Sequence, residues 1–322
     1  MNPDSPLVTV LVPNYNHEKY LPLRIESIIN QTFTDFELIL MDDCSTDGSV
    51  AILEQYAISD KRISVILNNK NSGSTFKQWK KGISLAKGKY LWIAESDDFA
   101  ELNFLSTLIP ILENNPSIAL AYTNSNIVDS NNKASGTTAD WKNTALNTSR
   151  WSNDFLVKGI DELNNFLSRG CTINNASAVL FRHACIQSAG GVDDSFRYTG
   201  DWSLYQKISL IGDIAYIANC LSNYREHVNN ASKKSAIDGS QLFERLKCYA
   251  YLFRLKSLNE ASHQRMIKDA SAELFSLFNT LLRINPQPKL LIKYINDIIK
   301  ISLRFYIKIQ MRSVYVLLLK EY

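Results

Sequence analysis

Short apolar runs alternate with amphipathic segments along the first part of the chain, and this alternation restricts the fold more than any other feature. The apolar runs, rich in β-branched and other apolar residues, are residues 7–12, 36–41, 63–67 and 90–94. The amphipathic segments between and after them are residues 19–30, 49–58, 75–86 and 101–114. Continuous apolar runs are typical of strands buried on both faces. The pattern therefore predicts an α/β fold with a mainly parallel sheet flanked by helices.

The second part of the chain has a less regular pattern. Further strands are predicted at residues 118–123, 213–217 and 221–225, and residues 176–181 form another apolar run. Residues 124–153 are rich in Asn, Ser and Thr and show little periodicity, which favours an insertion or a mobile loop. The pattern becomes helical from about residue 238 to the end. We therefore predict two domains, an α/β domain over 1–235 and a C-terminal helical region over 236–322.

Composition excludes several classes of protein and indicates a cellular location. The net charge of +3 gives no sign of a nucleic-acid partner. The five cysteines form no CxxC pair, which is typical of a reducing compartment. No basic, apolar leader pattern precedes the first strand, and no apolar run is long enough to span a bilayer. We therefore expect the protein in the cytoplasm.

Two pairs of acids stand at the ends of predicted strands. Asp42-Asp43 follows the run 36–41, and Asp97-Asp98 lies just beyond the run 90–94. Acids at the carboxyl ends of strands in an open α/β sheet point into the crevice where ligands bind. Oxygen ligands of this kind suit a divalent cation that also binds substrate phosphates. The alternative for Asp97-Asp98 is capping of the helix that begins near residue 101.

The first strand-to-helix loop contains an aromatic residue but no phosphate-binding motif. It reads Pro13-Asn14-Tyr15-Asn16, with neither a GxGxxG nor a GxxxxGK[ST] pattern. The Tyr15 ring could stack on a nucleotide base while Asp43 accepts a hydrogen bond from the base. Alternatively, Tyr15 is a packing aromatic and Asp43 caps a helix.

Two later residues are candidates for chemistry. Asp201 lies next to Trp202 after a glycine, so its carboxylate could have a raised pKa and serve as a general base. It could equally cap the helix that follows. His227 follows a predicted strand together with Arg225, where both could approach a leaving diphosphate, although a lone histidine is usually structural. The other histidines show no metal-ligand spacing; they are His17, His183 and His263.

Taken together, these segments resemble the family 2 glycosyltransferases of the GT-A fold over about residues 7–232. The matching motifs are Val8-Thr9-Val10-Leu11-Val12-Pro13-Asn14-Tyr15-Asn16, Asp42-Asp43-Cys44-Ser45-Thr46-Asp47-Gly48, Asn71-Ser72-Gly73, Glu95-Ser96-Asp97-Asp98, Gly190-Gly191-Val192-Asp193, Gly200-Asp201-Trp202 and Tyr224-Arg225-Glu226-His227. The resemblance implies an inverting transfer of one sugar from a nucleotide sugar to an acceptor hydroxyl.

The resemblance also implies roles for individual residues. The base would be held by Pro13, Tyr15 and Asp43. Asp97 would lie near the ribose, and Asp98 would bind Mn²⁺ or Mg²⁺. The acceptor hydroxyl would lose its proton to Asp201, and the diphosphate would be supported by Arg225 and His227.

The sequence departs from the family pattern at two positions. Ser96 replaces a frequent Asp in the metal motif, which leaves metal binding to Asp98. Gly200 precedes Asp201 where many relatives have Glu, so fewer groups orient the acceptor.

The resulting interpretation is a metal-dependent inverting glycosyltransferase for bacterial surface or capsular polysaccharide. Its partners would be a nucleotide-sugar donor and a saccharide or lipid-linked saccharide acceptor. One alternative is a catalytically weak nucleotide-sugar-binding module of a larger polysaccharide assembly. Another is a nucleotidyltransferase, which usually has a Gly-rich basic loop after its first strand; Pro13-Asn14-Tyr15-Asn16 is not such a loop.

The C-terminal segment carries a stripe of mainly basic residues at helical spacing. The stripe consists of Lys289, Lys293, Asp297, Lys300, Arg304 and Lys308, opposite apolar residues that include Phe305 and Ile309. Such a helix could lie on an anionic membrane surface, at the inner face of the plasma membrane. The alternative is a helix that packs on its own domain or on a second copy in a homodimer.

Overall fold

The computed structural model describes residues 5–227 and 240–284, together with residues 296, 305, 307 and 309. The chain divides into two compact units. The first unit comprises Met1–Gly159, Thr172–Ser195 and Lys207–His227, and the second comprises Ile160–Cys171, Phe196–Gln206 and Val228–Tyr322. The division into domains at residue 235 concerns independent folding and stays a prediction.

Ten strands of the described residues form one sheet in the first unit. The strands are β1 (Val8–Asn14), β2 (Phe36–Asp42), β3 (Ile63–Leu67), β4 (Tyr90–Ile93), β5 (Phe99–Ala100), β6 (Ile118–Val128), β7 (Ala134–Thr137), β8 (Phe155–Val157), β9 (Val179–Arg182) and β10 (Asp213–Arg225). Their order is β3-β2-β1-β4-β9-β6-β10-β5, with β7 paired to β6 and β8 paired to β10. The order places β1 at the centre of the parallel half.

The two halves of the sheet differ in strand direction. Strands β3, β2, β1 and β4 are parallel, and the register pairs Asn14 with Asp42 at their carboxyl ends. Beyond β4 the sheet is mixed, because β9 enters antiparallel to both β4 and β6. The predicted α/β class with a helix-flanked sheet is confirmed, and the parallel character is confined to the first half and to the β6–β10 pair.

Ten α-helices connect and extend these strands in the described part of the chain. They are α1 (Leu21–Ile29), α2 (Ser49–Ser59), α3 (Thr75–Leu85), α4 (Phe104–Asn114), α5 (Thr138–Leu146), α6 (Gly159–Glu162), α7 (His183–Ser188), α8 (Gly200–Ile208), α9 (Ser240–Phe253) and α10 (Glu260–Ile284). A π-helical turn, Leu163–Leu167, continues α6. None of the described helices is long and apolar enough to cross a membrane.

The core lies between the sheet and the helices that cover it. On one face, Val10 and Leu38 pack in the same cluster as Ile25 of α1 and Leu108 of α4, and all four are fully buried. On the other face, α3 approaches the sheet closely at Gly82. A Cβ atom there would lie 2.7 Å from the side chains of Leu11 and Met41, so a larger residue would have to displace the ends of these side chains.

The expectation of a mobile loop over 124–153 is wrong, because most of this segment forms strands and a helix. Strand β6 continues to Val128, pairs with β7, and is followed by α5 and β8. The polar residues of this segment obscured the pattern of strands and helices in the sequence, and in the structure they hydrogen-bond to one another. For example, Asn124 Oδ1 accepts hydrogen bonds from Thr138 Oγ1 at 3.0 Å and from the Ala139 amide at 2.9 Å.

The C-terminal stripe from Lys289 to Lys308 lies outside the described residues. Two apolar residues opposite it, Phe305 and Ile309, are described and fully buried. The Phe305 ring lies 5.4 Å from the ring of Phe253 in α9. Phe305 therefore packs against α9 within the second unit.

Candidate active site

The loops after β1 and β2 are tied together at the carboxyl edge of the sheet. Asn14 Nδ2 donates to Asp42 Oδ1 at 2.8 Å, and Thr46 donates its amide to Asn16 Oδ1 at 2.7 Å. Both Asn16 and Cys44 adopt positive φ angles, 56° and 64°, which non-glycine residues rarely do. The first acid of the pair, Asp42, therefore orders the edge rather than facing a ligand.

Asp43, the second acid of this pair, holds the segment that follows β3. Its buried carboxylate accepts hydrogen bonds from Asn68 Nδ2 at 2.7 Å, from Ser72 Oγ at 2.8 Å and from Gln78 Nε2 at 2.8 Å. The Ser72 amide donates to the same carboxylate. A nucleotide base that bonds to Asp43 must share an oxygen with these donors, so Asp43 also shapes the wall around any such base.

Tyr15 and Pro13 lie in different surroundings although they are two residues apart. Pro13 is buried within β1, where it pairs with Met41. The Tyr15 side chain is 45% exposed, which is more than a core aromatic residue allows. The ring is therefore accessible at the carboxyl edge of the parallel strands.

Three carboxylates lie close together just beyond β4. Glu95 accepts a hydrogen bond from Trp79 Nε1 at 2.7 Å, and burial together with the Asp97 charge raises its pKa to about 8. Asp98 is 3% exposed and accepts the Arg225 amide at 2.8 Å. Burial, followed by the Asp97 charge, raises the pKa of Asp98 to about 7. Crowding of acids in a buried position is typical of ligand-binding sites.

Arg24 is a buried cation that supports this acidic segment. Its side chain is fully buried, lies 5.3 Å from the Trp92 ring, and donates from Nε to the Glu95 carbonyl at 2.9 Å. Burial lowers the pKa of Arg24 to about 10, although Asp98 and Asp97 act to raise it. Arg24 therefore offsets part of the negative charge.

One of these three carboxylates, that of Asp97, lies close to two imidazoles. His17, Asp97 and His227 each offer one ligand atom, and these atoms lie within 4.8 Å of one another. His227 Nε2 lies 3.0 Å from Asp97 Oδ2, and His17 Nδ1 lies 2.8 Å from Ser96 Oγ. The His227 ring stacks on Tyr20 at 5.5 Å between centroids. We call these three residues the His-Asp-His cluster.

The pKa values of Asp97 and His17 are both shifted towards the forms that bind metal ions, an ionised carboxylate and a neutral imidazole. Burial acts to raise the pKa of Asp97, but the hydrogen bond with His227 and the nearby His17 lower it overall. Burial is the main cause that lowers the pKa of His17. An ionised carboxylate and a neutral imidazole are the forms that bind cations.

The His-Asp-His cluster differs from the metal site predicted from the sequence, which consisted of Asp98 and did not include His17. His17 was missed because no second ligand stands at a regular spacing from it, although it follows the first strand, where ligands commonly bind. Asp98 lies beside the cluster, and its carboxylate accepts a backbone amide. The metal role of Asp98 therefore stays a prediction, and the geometry adds His17, Asp97 and His227 as candidates.

Arg225 lies behind the acids rather than on an open surface. It is 1% exposed, and its Nε donates to the Asp97 carbonyl at 2.6 Å. Its Nη1 donates to the Asp129 carbonyl at 2.7 Å, and the guanidinium lies 4.6 Å from the Tyr20 ring. These contacts make Arg225 a support for the acidic segment; contact with a diphosphate stays a prediction.

Asp201 belongs to the second unit and lies in the first turn of α8. Thr199 occupies the N-cap position just before that helix, since its carbonyl accepts the Ser203 amide at 3.1 Å. Asp201 Oδ1 accepts the amide of Trp202 at 2.8 Å, which is not the bond of an N-cap residue. Burial, with a contribution from Glu244, raises the pKa of Asp201 to about 6 despite two backbone hydrogen bonds that lower it. A carboxylate of this basicity can take a proton from a hydroxyl near neutral pH.

Comparison with known proteins identifies the family. Residues 9–179 match the model described as glycosyl transferase family 2. The chain belongs to this family. The resemblance drawn from the motifs is thereby confirmed.

Individual relatives agree with this assignment. The chain is 26% identical over 232 residues to a chondroitin synthase of Escherichia coli, which is 71% of this chain and 30% of that protein. The crystal structure of S. aureus TarS 1-349 in complex with UDP-GlcNAc has a TM-score of 0.68 at 18% identity, covering 91% of this chain and 81% of that one. Mannosyltransferase PcManGT from Pyrobaculum calidifontis, in complex with GDP-Man and Mn²⁺, has a TM-score of 0.60 at 14% identity, covering 97% and 88%.

These likenesses confirm the GT-A fold of this glycosyltransferase. The matched region spans 68% of the first curated relative and 34 to 44% of the next three.

Proposed function

We propose that this family 2 glycosyltransferase moves one sugar, with inversion, from a nucleoside diphosphate sugar to an acceptor hydroxyl. The observation that carries the proposal is the His-Asp-His cluster beside the carboxyl edge of the parallel strands. The nucleotide sugars bound by TarS and by the mannosyltransferase support a donor of this class. The polysaccharide made by the chondroitin synthase relative supports a saccharide or lipid-linked saccharide acceptor.

The cluster suits a divalent transition metal. Its donors would be one carboxylate oxygen of Asp97 and one imidazole nitrogen each of His17 and His227. Mixed nitrogen and oxygen donors favour Mn²⁺ over Mg²⁺, which prefers oxygen ligands. The Ser96 hydroxyl beside His17 would orient the imidazole, as outer groups commonly do for histidine ligands. When bound, such a metal neutralises charge on the departing diphosphate.

The nucleotide would lie along the carboxyl edge of β1 and β2. We assign stacking on the base to Tyr15, and the adjoining wall to Pro13 and to the segment that Asp43 holds. The sequence predicted Asp97 near the ribose and Asp98 at the metal. The contacts of the cluster favour Asp97 as the metal carboxylate, with Asp98 and Arg225 supporting it from behind.

We assign the role of general base to Asp201. Its carboxylate would take the proton of the acceptor hydroxyl as the oxygen attacks the anomeric carbon from the face opposite the diphosphate. The new bond forms between that oxygen and the anomeric carbon, while the bond from the carbon to the diphosphate breaks. The products are the glycosylated acceptor and a nucleoside diphosphate.

We further propose that the reaction takes place in the cytoplasm, where nucleotide sugars would reach the enzyme. The C-terminal stripe would bind the inner face of the plasma membrane or a second copy of the chain. A membrane site would serve a lipid-linked acceptor.

Replacing Tyr15 by Ala should weaken nucleoside diphosphate binding by about 1–3 kcal/mol, by analogy with base–aromatic stacking. Titration calorimetry with UDP and GDP measures this affinity. Trp141→Ala is the matched control, because Trp141 is 56% exposed and has no proposed role. A lower melting temperature with unchanged affinity for both nucleotides would show that Tyr15 only packs against the protein.

A turnover assay with a panel of radiolabelled nucleotide sugars tests the proposed function. We expect label to pass to an added saccharide or lipid-linked saccharide acceptor, with release of a nucleoside diphosphate. Binding of nucleotide sugar without turnover would indicate the binding-module alternative. Formation of nucleotide sugar and pyrophosphate from a nucleoside triphosphate and a sugar phosphate would indicate a nucleotidyltransferase.

A further inference from the structure

A carboxylate from the C-terminal helices binds the loop that leads into α8. Glu244 of α9 accepts the backbone amides of three consecutive residues, Arg197 at 2.7 Å, Tyr198 at 2.8 Å and Thr199 at 2.9 Å. These residues lie 45 to 47 positions from Glu244 in the chain, so the contact is tertiary. The carboxylate is buried, at 7% exposure.

The arrangement differs from ordinary helix capping, in which a side chain at the start of the helix accepts an amide of its own first turn. Successive backbone amides that converge on one point form an anion-binding concavity, and hydrogen bonds to an ionised acceptor are short and strong. Both Glu244 oxygens are used, since Arg197 donates to Oε1 and the next two amides donate to Oε2. One side chain thus fixes the backbone immediately before Asp201.

The same helix also holds the residue after Asp201. The ring of Trp202 meets the ring of Tyr249 edge-on at 5.2 Å, and its Nε1 donates to the Leu167 carbonyl at 2.9 Å. The first turn of α8 is therefore held from both sides of Asp201 by residues of α9. Sequence patterns could not reveal this, because Glu244 looks like any polar residue on a helix.

We propose that Glu244 is a positioning residue for Asp201, which aims the Asp201 carboxylate at the acceptor hydroxyl by fixing Arg197–Thr199. The inference rests on the role of Asp201 in the proposed function. It assigns the C-terminal helices a part in the reaction. Displacement of a reacting group by about 1 Å costs up to roughly 10²-fold in rate.

Glu244→Gln tests the proposal because glutamine keeps the size of the side chain but replaces one acceptor oxygen with a donor. At least one amide of the loop then faces an NH₂ group. We expect kcat for transfer to fall roughly 10- to 100-fold, with the affinity for the nucleotide sugar unchanged. Glu244→Asp keeps the charge but shortens the side chain, so its kcat should lie between those of Glu244→Gln and the wild type.

Glu273→Gln is the matched control, because Glu273 of α10 accepts Arg245 Nε of α9 at 2.7 Å, whereas Glu244 accepts the amides of the loop. It removes a charged contact of α9 and should lower the melting temperature without lowering kcat. The acid limb of the kcat–pH profile is a second readout. Among the described residues, the titratable groups with an electrostatic interaction with Asp201 are Glu244 and Cys248, both on α9. Loss of the Glu244 charge should shift that limb to lower pH, and the control should not.

Hydrogen exchange of the full chain makes the outcome independent of turnover. The Arg197–Thr199 amides should be protected in the wild type and in Glu273→Gln, and should lose protection in Glu244→Gln. Unprotected amides in the wild type overturn the proposal, as does a kcat of Glu244→Gln within twofold of wild type. Equal losses of kcat in Glu244→Gln and Glu273→Gln would show that Glu244 only stabilises the fold. If Asp201→Asn has the kcat of the wild type while Glu244 still protects these amides, Asp201 is not the base. The contact between Glu244 and the loop would then be real but without a role in proton transfer.

Discussion

Replacing Asp201 by Asn should lower the rate of transfer by roughly 10²–10⁴-fold, which is the usual contribution of a general base. The amide keeps the shape of the side chain and can still accept the Trp202 amide, but it cannot take the acceptor proton. Nucleotide-sugar affinity should be unchanged. Steady-state kinetics with saturating donor, together with calorimetry, measures both quantities.

The pH dependence of the wild type follows from the same carboxylate. With the pKa of Asp201 raised to about 6, chiefly by burial, the base becomes protonated as the pH falls through that value. We therefore expect kcat to decline below about pH 6 and the decline to be absent from the residual activity of Asp201→Asn.

The control for this substitution is Asp161→Asn. Asp161 also lies in the first turn of a helix, α6, and is exposed. Its replacement should leave kcat unchanged. If Asp201→Asn keeps both wild-type kcat and wild-type affinity, Asp201 contributes only to α8.

The parallel half of the sheet was predictable because the physical signal is local. Strands β1 and β2 are largely buried, so each is a mainly apolar run with its end marked by a polar residue. The helices between them carry apolar residues at helical spacing. Pattern and structure therefore agree closely over these elements.

The second half of the sheet was harder to predict from the sequence, because its secondary structure depends on tertiary contacts. β10 is one strand, but the sequence suggested two, since register irregularities lie between Ile217 and Ser222. Bulges of this kind interrupt the alternation that marks a strand. In β6 and α5, polar residues satisfy one another inside the fold, as Asn124 does with Thr138.

The site was only partly predictable for a related reason. The acids at the ends of β2 and β4 could be found, because parallel strands bring their carboxyl ends to one edge. Which acid faces the ligand depends on loop conformation, where periodicity carries no information. The grouping of His17 with His227 requires residues from opposite ends of the first unit, and no local spacing records it.

Isosteric substitution of the two adjacent acids should identify the metal carboxylate. We expect Asp97→Asn to abolish Mn²⁺ binding by the cluster and to lower transfer on the order of 10³-fold, because loss of a metal ligand removes several kcal/mol of charge stabilisation. Asp98→Asn should retain Mn²⁺ binding, since its contacts are the Arg225 amide and Ser177. Calorimetry with Mn²⁺ in the absence of nucleotide provides a readout that does not depend on activity.

The histidines extend this test to the choice of metal. His17→Ala should weaken Mn²⁺ binding and reduce the preference for Mn²⁺ over Mg²⁺, because it removes one nitrogen donor and leaves the carboxylate in place. His183→Ala is the matched control, since His183 lies beside Gly88 and makes no contact with the cluster. If Asp98→Asn, and not Asp97→Asn, loses Mn²⁺ binding, the assignment suggested by the sequence is correct. Turnover at the wild-type rate in EDTA would exclude a metal role for either acid.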